Sequence, residues 1–401
     1  MAESPTSTGR RISPVWVFSA LSAALASGYG VLFTIVGDYR DEYGIAETWL
    51  GVLIGAGFIS AFVAQILVAP LADRGYARRL IVAGVLANVV GLLMMAFGTS
   101  LVPLLAGRLV SGVGIGASLP AIRRIVILAD PDNLGQNLGR LLSADVFGFA
   151  TGPAISAALV GTFGLASPFL VVSAFTLAII PFALAVTVVE TPDETGQRLA
   201  LDLLRNRVVA GAVVLGSAVF LMIGAFDALW DVVHEDLATT DWLANIGITL
   251  FAIPLVVLGP TSGRLAQRIG PFRIGAAGLL AGAAFMFIYG QLPTGGWIFA
   301  IAMMHAVTDG MTVASSGVAI SLAVPEARQA GAQGLMGAAQ SLTAGIAAPV
   351  IAGLYEGPGR AVAYGAAAVG MVVLVVIGVA LAWPFIQDRN RSIGYASTGS
   401  R

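Results

Sequence analysis

Long apolar runs divided by short polar turns fill this sequence from residue 14 to residue 386, and no other feature restricts the fold so severely. They lie at 14–36, 49–72, 80–98, 101–122, 141–163, 168–188, 208–230, 243–263, 273–291, 297–322, 333–354 and 362–386. Each is close to the roughly 20 residues that a helix needs to cross a bilayer core of about 30 Å. Inside hydrocarbon every backbone polar group must be satisfied within the segment, so the runs predict an all-α membrane protein with twelve transmembrane helices. Composition agrees, with 57% hydrophobic and 11% charged residues and a mean hydropathy of +0.90. A water-soluble chain of 401 residues has no use for that much apolar surface.

The turn after the second run reads Leu71-Ala72-Asp73-Arg74, and the turn after the eighth reads Leu265-Ala266-Gln267-Arg268, 194 residues later. A unit of six spans occurring twice is the simplest account, and paired halves of this kind suggest a transporter. The halves are expected at 1–189 and 208–401, each a six-helix bundle with a cytoplasmic tail, joined by a cytoplasmic linker at 190–207. In that linker Leu199, Leu201, Leu203 and Leu204 could form a short helix on the membrane surface.

All 21 basic residues are arginines. With the N-terminus inside, only Arg40 and Arg360 fall in outer loops and Arg108 within a span; the rest fall in the tails and inner loops. The positive-inside rule thus predicts both termini in the cytoplasm of a multi-pass protein of the cell membrane. Residues 1–12 read as a cytoplasmic tail rather than a signal peptide. The outer loops carry Asp41, Glu42, Glu47, Glu235, Asp236 and Asp241, which read as a solvated acidic face.

Without lysine there is no phosphate-binding loop of the P-loop type. With two histidines and no cysteine, a metal or nucleophilic site is not expected either. These absences point away from an enzyme and from any cofactor. The expected partners are a small-molecule substrate, protons and the bilayer, with no nucleic acid and with the chain as a monomer.

Three stretches resemble motifs of the major facilitator superfamily, and the resemblance covers essentially the whole chain. Ala69-x-x-x-Asp73-Arg74-Gly75-Tyr76-Ala77-Arg78-Arg79 resembles the G-x-x-x-D-[R/K]-x-G-[R/K]-[R/K] signature, with alanine for the first glycine and one extra residue before the arginines. Arg108-Leu-Val-Ser-Gly112-Val-Gly114 resembles R-x-x-x-G-x-G in the fourth span, and Gly148-Phe-Ala-Thr-Gly152-Pro153 resembles the G-x-x-x-G-P motif of antiporter members. Gly345 and Pro349 are a looser echo of the last in the eleventh span. The resemblance implies the twelve-helix fold of two pseudo-symmetric bundles and a cytoplasmic gate at Asp73, Arg74, Arg78 and Arg79, with Asp73 and Arg78 as its latch. It also implies an arginine at Arg108 that influences proton transfer, and a central cavity lined by the first, fourth, seventh and tenth helices.

The second half carries the unusual polar residues. Asp227, Trp230 and Asp231 lie in the seventh span with His234 just beyond it, while His305 and Asp309 lie one turn apart on one face of the tenth. At about 1.5 Å per residue Asp309 falls near the midplane, where a carboxylate and an imidazole can carry a proton. Arg108, Asp227, His305 and Asp309 are therefore the candidate coupling residues. Tyr29, Phe33, Phe220, Phe226 and Trp230 are candidate cavity aromatics.

The favoured expectation is proton-coupled export of a small amphiphilic or drug-like solute by alternating access. Uptake or facilitated movement of a sugar or organic acid is the alternative, and a non-transporting membrane sensor is a second one. Few amides that suit a sugar are present, chiefly Gln65, Asn88, Asn245 and Gln340.

Overall fold

A segment in lipid has no water to complete its backbone hydrogen bonds, and each expected run is helical in the computed structural model, which describes residues 13–187 and 199–398. The tail before residue 13, the linker stretch 188–198 and the side chains of Phe33 and Asn245 lie outside the described residues. The helices are α1 (Pro14–Tyr43), α2 (Glu47–Leu67), α3 (Ala77–Phe97), α4 (Leu101–Ala129), α5 (Leu134–Phe163) and α6 (Ser167–Ala185) in the first half. The second half holds α7 (Arg207–Asp236), α8 (Asp241–Ile269), α9 (Pro271–Tyr289), α10 (Gly295–Gly310), α11 (Ala314–Leu322), α12 (Gln329–Glu356) and α13 (Arg360–Thr398). α10 and α11 are two pieces of the tenth span, so twelve spans result. No strand occurs among the described residues.

Prolines in the first turns of α1, α6 and α9 start helices where an N–H has no partner to lose. Gly75 closes the 3-10 turn Ala69–Arg74 at φ 84°, a left-handed conformation that a side chain would strain.

Three boundaries differ from expectation. α1 runs on to Tyr43, so Asp38, Arg40, Asp41 and Glu42 stand on a helix end rather than in a loop. α4 runs on to Ala129, which puts Arg123 and Arg124 on the helix instead of in the turn after it. α7 runs on to Asp236 and includes His234, whose Nδ1 lies 2.8 Å from the Trp230 carbonyl oxygen one turn back. The linker leucines form a 3-10 turn, Ala200–Arg205, held by a two-pronged pair between Arg328 and Asp202 at 2.7 and 3.1 Å.

The packing repeats between the halves. α1 lies on α5 and α6, α2 on α4, and α3 on α4 and α6; correspondingly α7 lies on α12 and α13, α8 on α10 and α11, and α9 on α10 and α13. The two bundles meet where α5 packs on α8 and where α2 and α4 pack on α12, all at the arginine-rich end. No comparable packing joins α1 to α7 or α4 to α10 among the described residues, so a cleft runs between the bundles from the opposite end. Large apolar side chains such as Ile59, Phe97, Val102 and Val369 stay exposed around the bundles, as a hydrocarbon surround requires.

Candidate functional site

The arginine-rich end is closed by a carboxylate that reaches from one bundle to the other. Asp73, 2% exposed in the turn after α2, accepts hydrogen bonds from the backbone N–H of Ala330 (2.9 Å) and Gly331 (2.7 Å) in the first turn of α12. An anion at a helix N-terminus satisfies orphan amides and meets the positive end of the helix dipole. Arg124 of α4, fully buried, donates from Nε to the same carboxylate at 3.0 Å. This corrects the expected pairing of Asp73 with Arg78: Arg78 is exposed and donates to the Leu184 carbonyl, while Arg79 sits 5.5 Å over the Tyr76 ring and Arg74 is half-buried. The physical reason is the length of α4, which carries Arg124 down beside Asp73. Sequence reading missed Arg124 because the Arg123-Arg124 pair looked like a loop.

The echo of this turn performs the same act in mirror fashion. Gln267 Oε1 accepts from the N–H of Gly135 in the first turn of α5 at 2.7 Å, and its Nε2 donates to the Asp132 carbonyl at 3.1 Å. Thus Asp73 of the first half holds α12 of the second, and Gln267 of the second half holds α5 of the first. Between these points α5 and α8 touch backbone to backbone: a Cβ on Gly263 or Gly139 would overlap the carbonyl oxygen of Gly135 or Gly259. Gln65 fills the matching seam of α2 against Gly334 and Gly337 of α12. Asn88 is likewise spent between helices, donating to Ser111 at 2.8 Å.

In the first bundle Arg108 is fully buried, as expected of a candidate site, rather than extended toward the interface. Its guanidinium lies 3.8 Å over the Tyr29 ring and 6.0 Å from Phe58, and Nη2 approaches the Ile54 carbonyl oxygen at 3.4 Å. Lower in the same bundle Asp145 of α5 accepts from the Ser22 hydroxyl and lies 3.7 Å from Arg123 Nη2, all three on helices packed together. Sequence reading singles out Asp145 as a helix-end or gate candidate but not its partners Ser22 and Arg123, which are distant from it in sequence.

Gly148 and Gly152 serve close packing of α5 on α1: side chains there would overlap the backbone of Ala23 and of Gly30 and Val31. Pro153 follows inside α5. The eleventh-span echo differs, since Gly345 has open space around it and α7 instead supplies the small residue, Gly224 against Ala344.

In the second bundle Asp309 and His305 are together and buried, with Oδ1 3.4 Å from Nε2. The pair lies inside the bundle. Phe226 and Phe251 stand edge-on to the imidazole at 6.1 and 5.7 Å, Phe285 is 5.1 Å away, the Tyr289 hydroxyl is 3.1 Å from Nδ1, and the Met222 sulfur is 3.3 Å from Nε2. The helix breaks after Gly310, and the Asp309 carbonyl accepts from Thr312 and Val313 N–H at 2.8 and 2.9 Å. Gly310, the last residue of α10, passes the Pro254 backbone of α8 where no Cβ would fit. Asp227 is exposed on α7 with Asp231 one turn on. Trp230 corrects the expected cavity aromatics: it is buried in the second bundle, stacked on Phe226 and His234 at 5.1 and 4.2 Å, because α7 turns that face inward. Phe226 is buried with it. Among the described residues no cluster of acids and histidines could hold a metal ion.

This architecture has relatives. The chain is 24% identical over 270 residues to the multidrug resistance protein MdtG of Dickeya zeae, a match covering 63% of this chain and 66% of that one. It is 23% identical over 217 residues to the quinolone resistance protein NorA of Staphylococcus aureus, covering 52% of this chain and 55% of that one. The aligned stretch thus spans less than two thirds of either relative. Among solved structures, the proton:xylose symporter XylE superposes with a TM-score of 0.78 at 14% identity, over 93% of this chain and 95% of that one, a likeness of fold. A family model described as Major Facilitator Superfamily matches residues 17–230 and 209–394, and the chain belongs to that family of membrane transporters.

Proposed function

We propose that this transporter exports a small amphiphilic or drug-like solute in exchange for protons, by rocking its two bundles between states open at opposite ends. The observation that carries the reading is the buried Asp309–His305 pair beside the break between α10 and α11. A carboxylate and an imidazole enclosed by aromatic rings can hold a proton away from water, and a broken helix is a place where their surroundings can change. The arginine-rich end is taken as cytoplasmic, with both termini there, so the state described is closed inward and open outward. Asp73, Arg124 and Gln267 form the inner gate, with Arg74, Arg78 and Arg79 around it. Residues 1–189 and 208–401 act as the rocking units and 190–207 as their linker.

The names of MdtG and NorA support the export direction, and the use of Gln65 and Asn88 between helices leaves few amides for a sugar. The test is proton flux in everted membrane vesicles, read with a pH-sensitive dye while lipophilic cations, neutral drugs, sugars and organic acids are added in turn. Export by exchange predicts that an amphiphile collapses the gradient and that Asp309→Asn abolishes the response. Gradient-independent exchange of a labelled sugar would move the reading to facilitated transport, and no exchange of any compound would move it to a sensor.

A further inference from the structure

Arg108 holds a charge that no described residue balances. A guanidinium stays protonated at any physiological pH, and a buried ion without a countercharge costs several kcal/mol. Nε and Nη1 have no hydrogen-bond partner among the described residues, and no carboxylate among them pairs with the group. The 3.4 Å approach of Nη2 to the Ile54 carbonyl is long for a hydrogen bond. The Tyr29 ring at 3.8 Å is the best-placed counterpart, and stacking of this kind offsets about 0.5–2 kcal/mol, less than the burial costs.

Two further features bear on what completes the site. Arg108 lies two turns from the start of α4, hence about 10 Å along the helix from the end at which the bundles part. Tyr29 is only half-buried, on a helix that borders the cleft, and is pinned by a single bond from its hydroxyl to the Gly57 carbonyl at 3.2 Å. Gly57 itself leaves the room that the guanidinium occupies, since a Cβ there would overlap it. Gly57 thus backs the guanidinium, and the Tyr29 ring, edge-on to Phe58 at 5.7 Å, covers it.

We infer that Arg108 receives a carboxylate, or another compact anionic group, of the transported compound, and that the Tyr29 ring covers the guanidinium until that group displaces it. Nε and Nη1, on different sides of the guanidinium, each keep an unmade hydrogen bond that an anionic group can accept. The substrate class is thus an amphiphile that carries a carboxylate or another compact anionic group. This rests on the export reading only in requiring that an amphiphile occupy the cleft.

The test is equilibrium binding to the purified full chain in lipid-free non-ionic detergent, using rhodamine B and its ethyl ester, which differ in the free carboxylate. The acid should bind at least about tenfold tighter than the ester, the scale of a charge-assisted pair gained. Arg108→Gln should remove that preference and Arg108→Lys should keep part of it, with thermal unfolding reporting whether each variant folds. If the glutamine variant does not fold, the comparison of acid with ester on the unaltered chain decides. Equal affinity for the two dyes, or an acid preference undiminished in Arg108→Gln, would overturn the inference and leave export standing. Binding of neither dye would overturn both.

Discussion

Replacing Asp73 by Asn should open the arginine-rich end. In the closed state its carboxylate accepts from Arg124 of its own bundle and from the amides of Ala330 and Gly331 of the other. When the bundles part only the two amide bonds are lost, because Arg124 travels with Asp73. Each charge-assisted bond is worth about 1.5–3 kcal/mol, and the neutral oxygen of asparagine retains about 1 kcal/mol of the total. The closed state therefore loses about 3 kcal/mol against the open one, roughly a hundredfold in their ratio. The chain has no cysteine, so a single Ser143→Cys supplies the only thiol, in a buried place at the α5–α8 seam near the Leu255 carbonyl. A charged maleimide applied from the arginine-rich side should label this thiol slowly, and much faster once Asp73→Asn is added. An increase of less than about threefold, under 1 kcal/mol, would refute the assignment of Asp73 as the bond across the gate.

The mirror contact should behave alike but more weakly: Gln267→Ala removes neutral bonds worth about 1 kcal/mol, so labelling should rise about fivefold, and a rise matching Asp73→Asn would argue against the charge as the difference. Gly263→Ala, whose Cβ would overlap the Gly135 carbonyl, should also favour the open state, while helix propensity gains about 1 kcal/mol, so labelling rises without loss of expressed protein. Arg124→Ala should lower thermal stability by about 3–5 kcal/mol by leaving the buried Asp73 carboxylate without its guanidinium, whereas Arg78→Ala, an exposed change, should stay within about 0.5 kcal/mol. Tyr289→Phe, which removes the hydroxyl 3.1 Å from His305, should slow proton-driven transport and leave dye binding as it was; an equal loss of both would make Tyr289 merely structural.

The membrane fold was legible because hydrocarbon enforces a simple rule: run length and arginine placement are local properties of the sequence. The repeat at Asp73 and Gln267 was legible for the same reason, and its meaning became visible only in space, where each residue holds the helix start of the opposite bundle. What local pattern conceals is partnership over distance. Arg124 is 51 residues from Asp73, and the Arg123-Arg124 pair ends an apolar run in a way that resembles a loop. The break in the tenth span carries no proline; Gly310 marks it, and it matters only because the α8 backbone passes there. Trp230 and Asp227 share one stretch of α7, and which of them is buried depends on how α7 packs in its bundle, chiefly on α12 and α13, which periodicity does not encode.

The central claim is that Asp309 couples a proton to movement of the solute. Proteoliposomes holding the purified chain, with an imposed pH gradient, separate coupling from movement: uphill accumulation of dye reports coupling, and counterflow without a gradient reports movement alone. The account predicts that Asp309→Asn keeps counterflow and loses uphill accumulation. Uphill accumulation that persists in Asp309→Asn would contradict it and leave the Asp309–His305 pair as packing inside the second bundle.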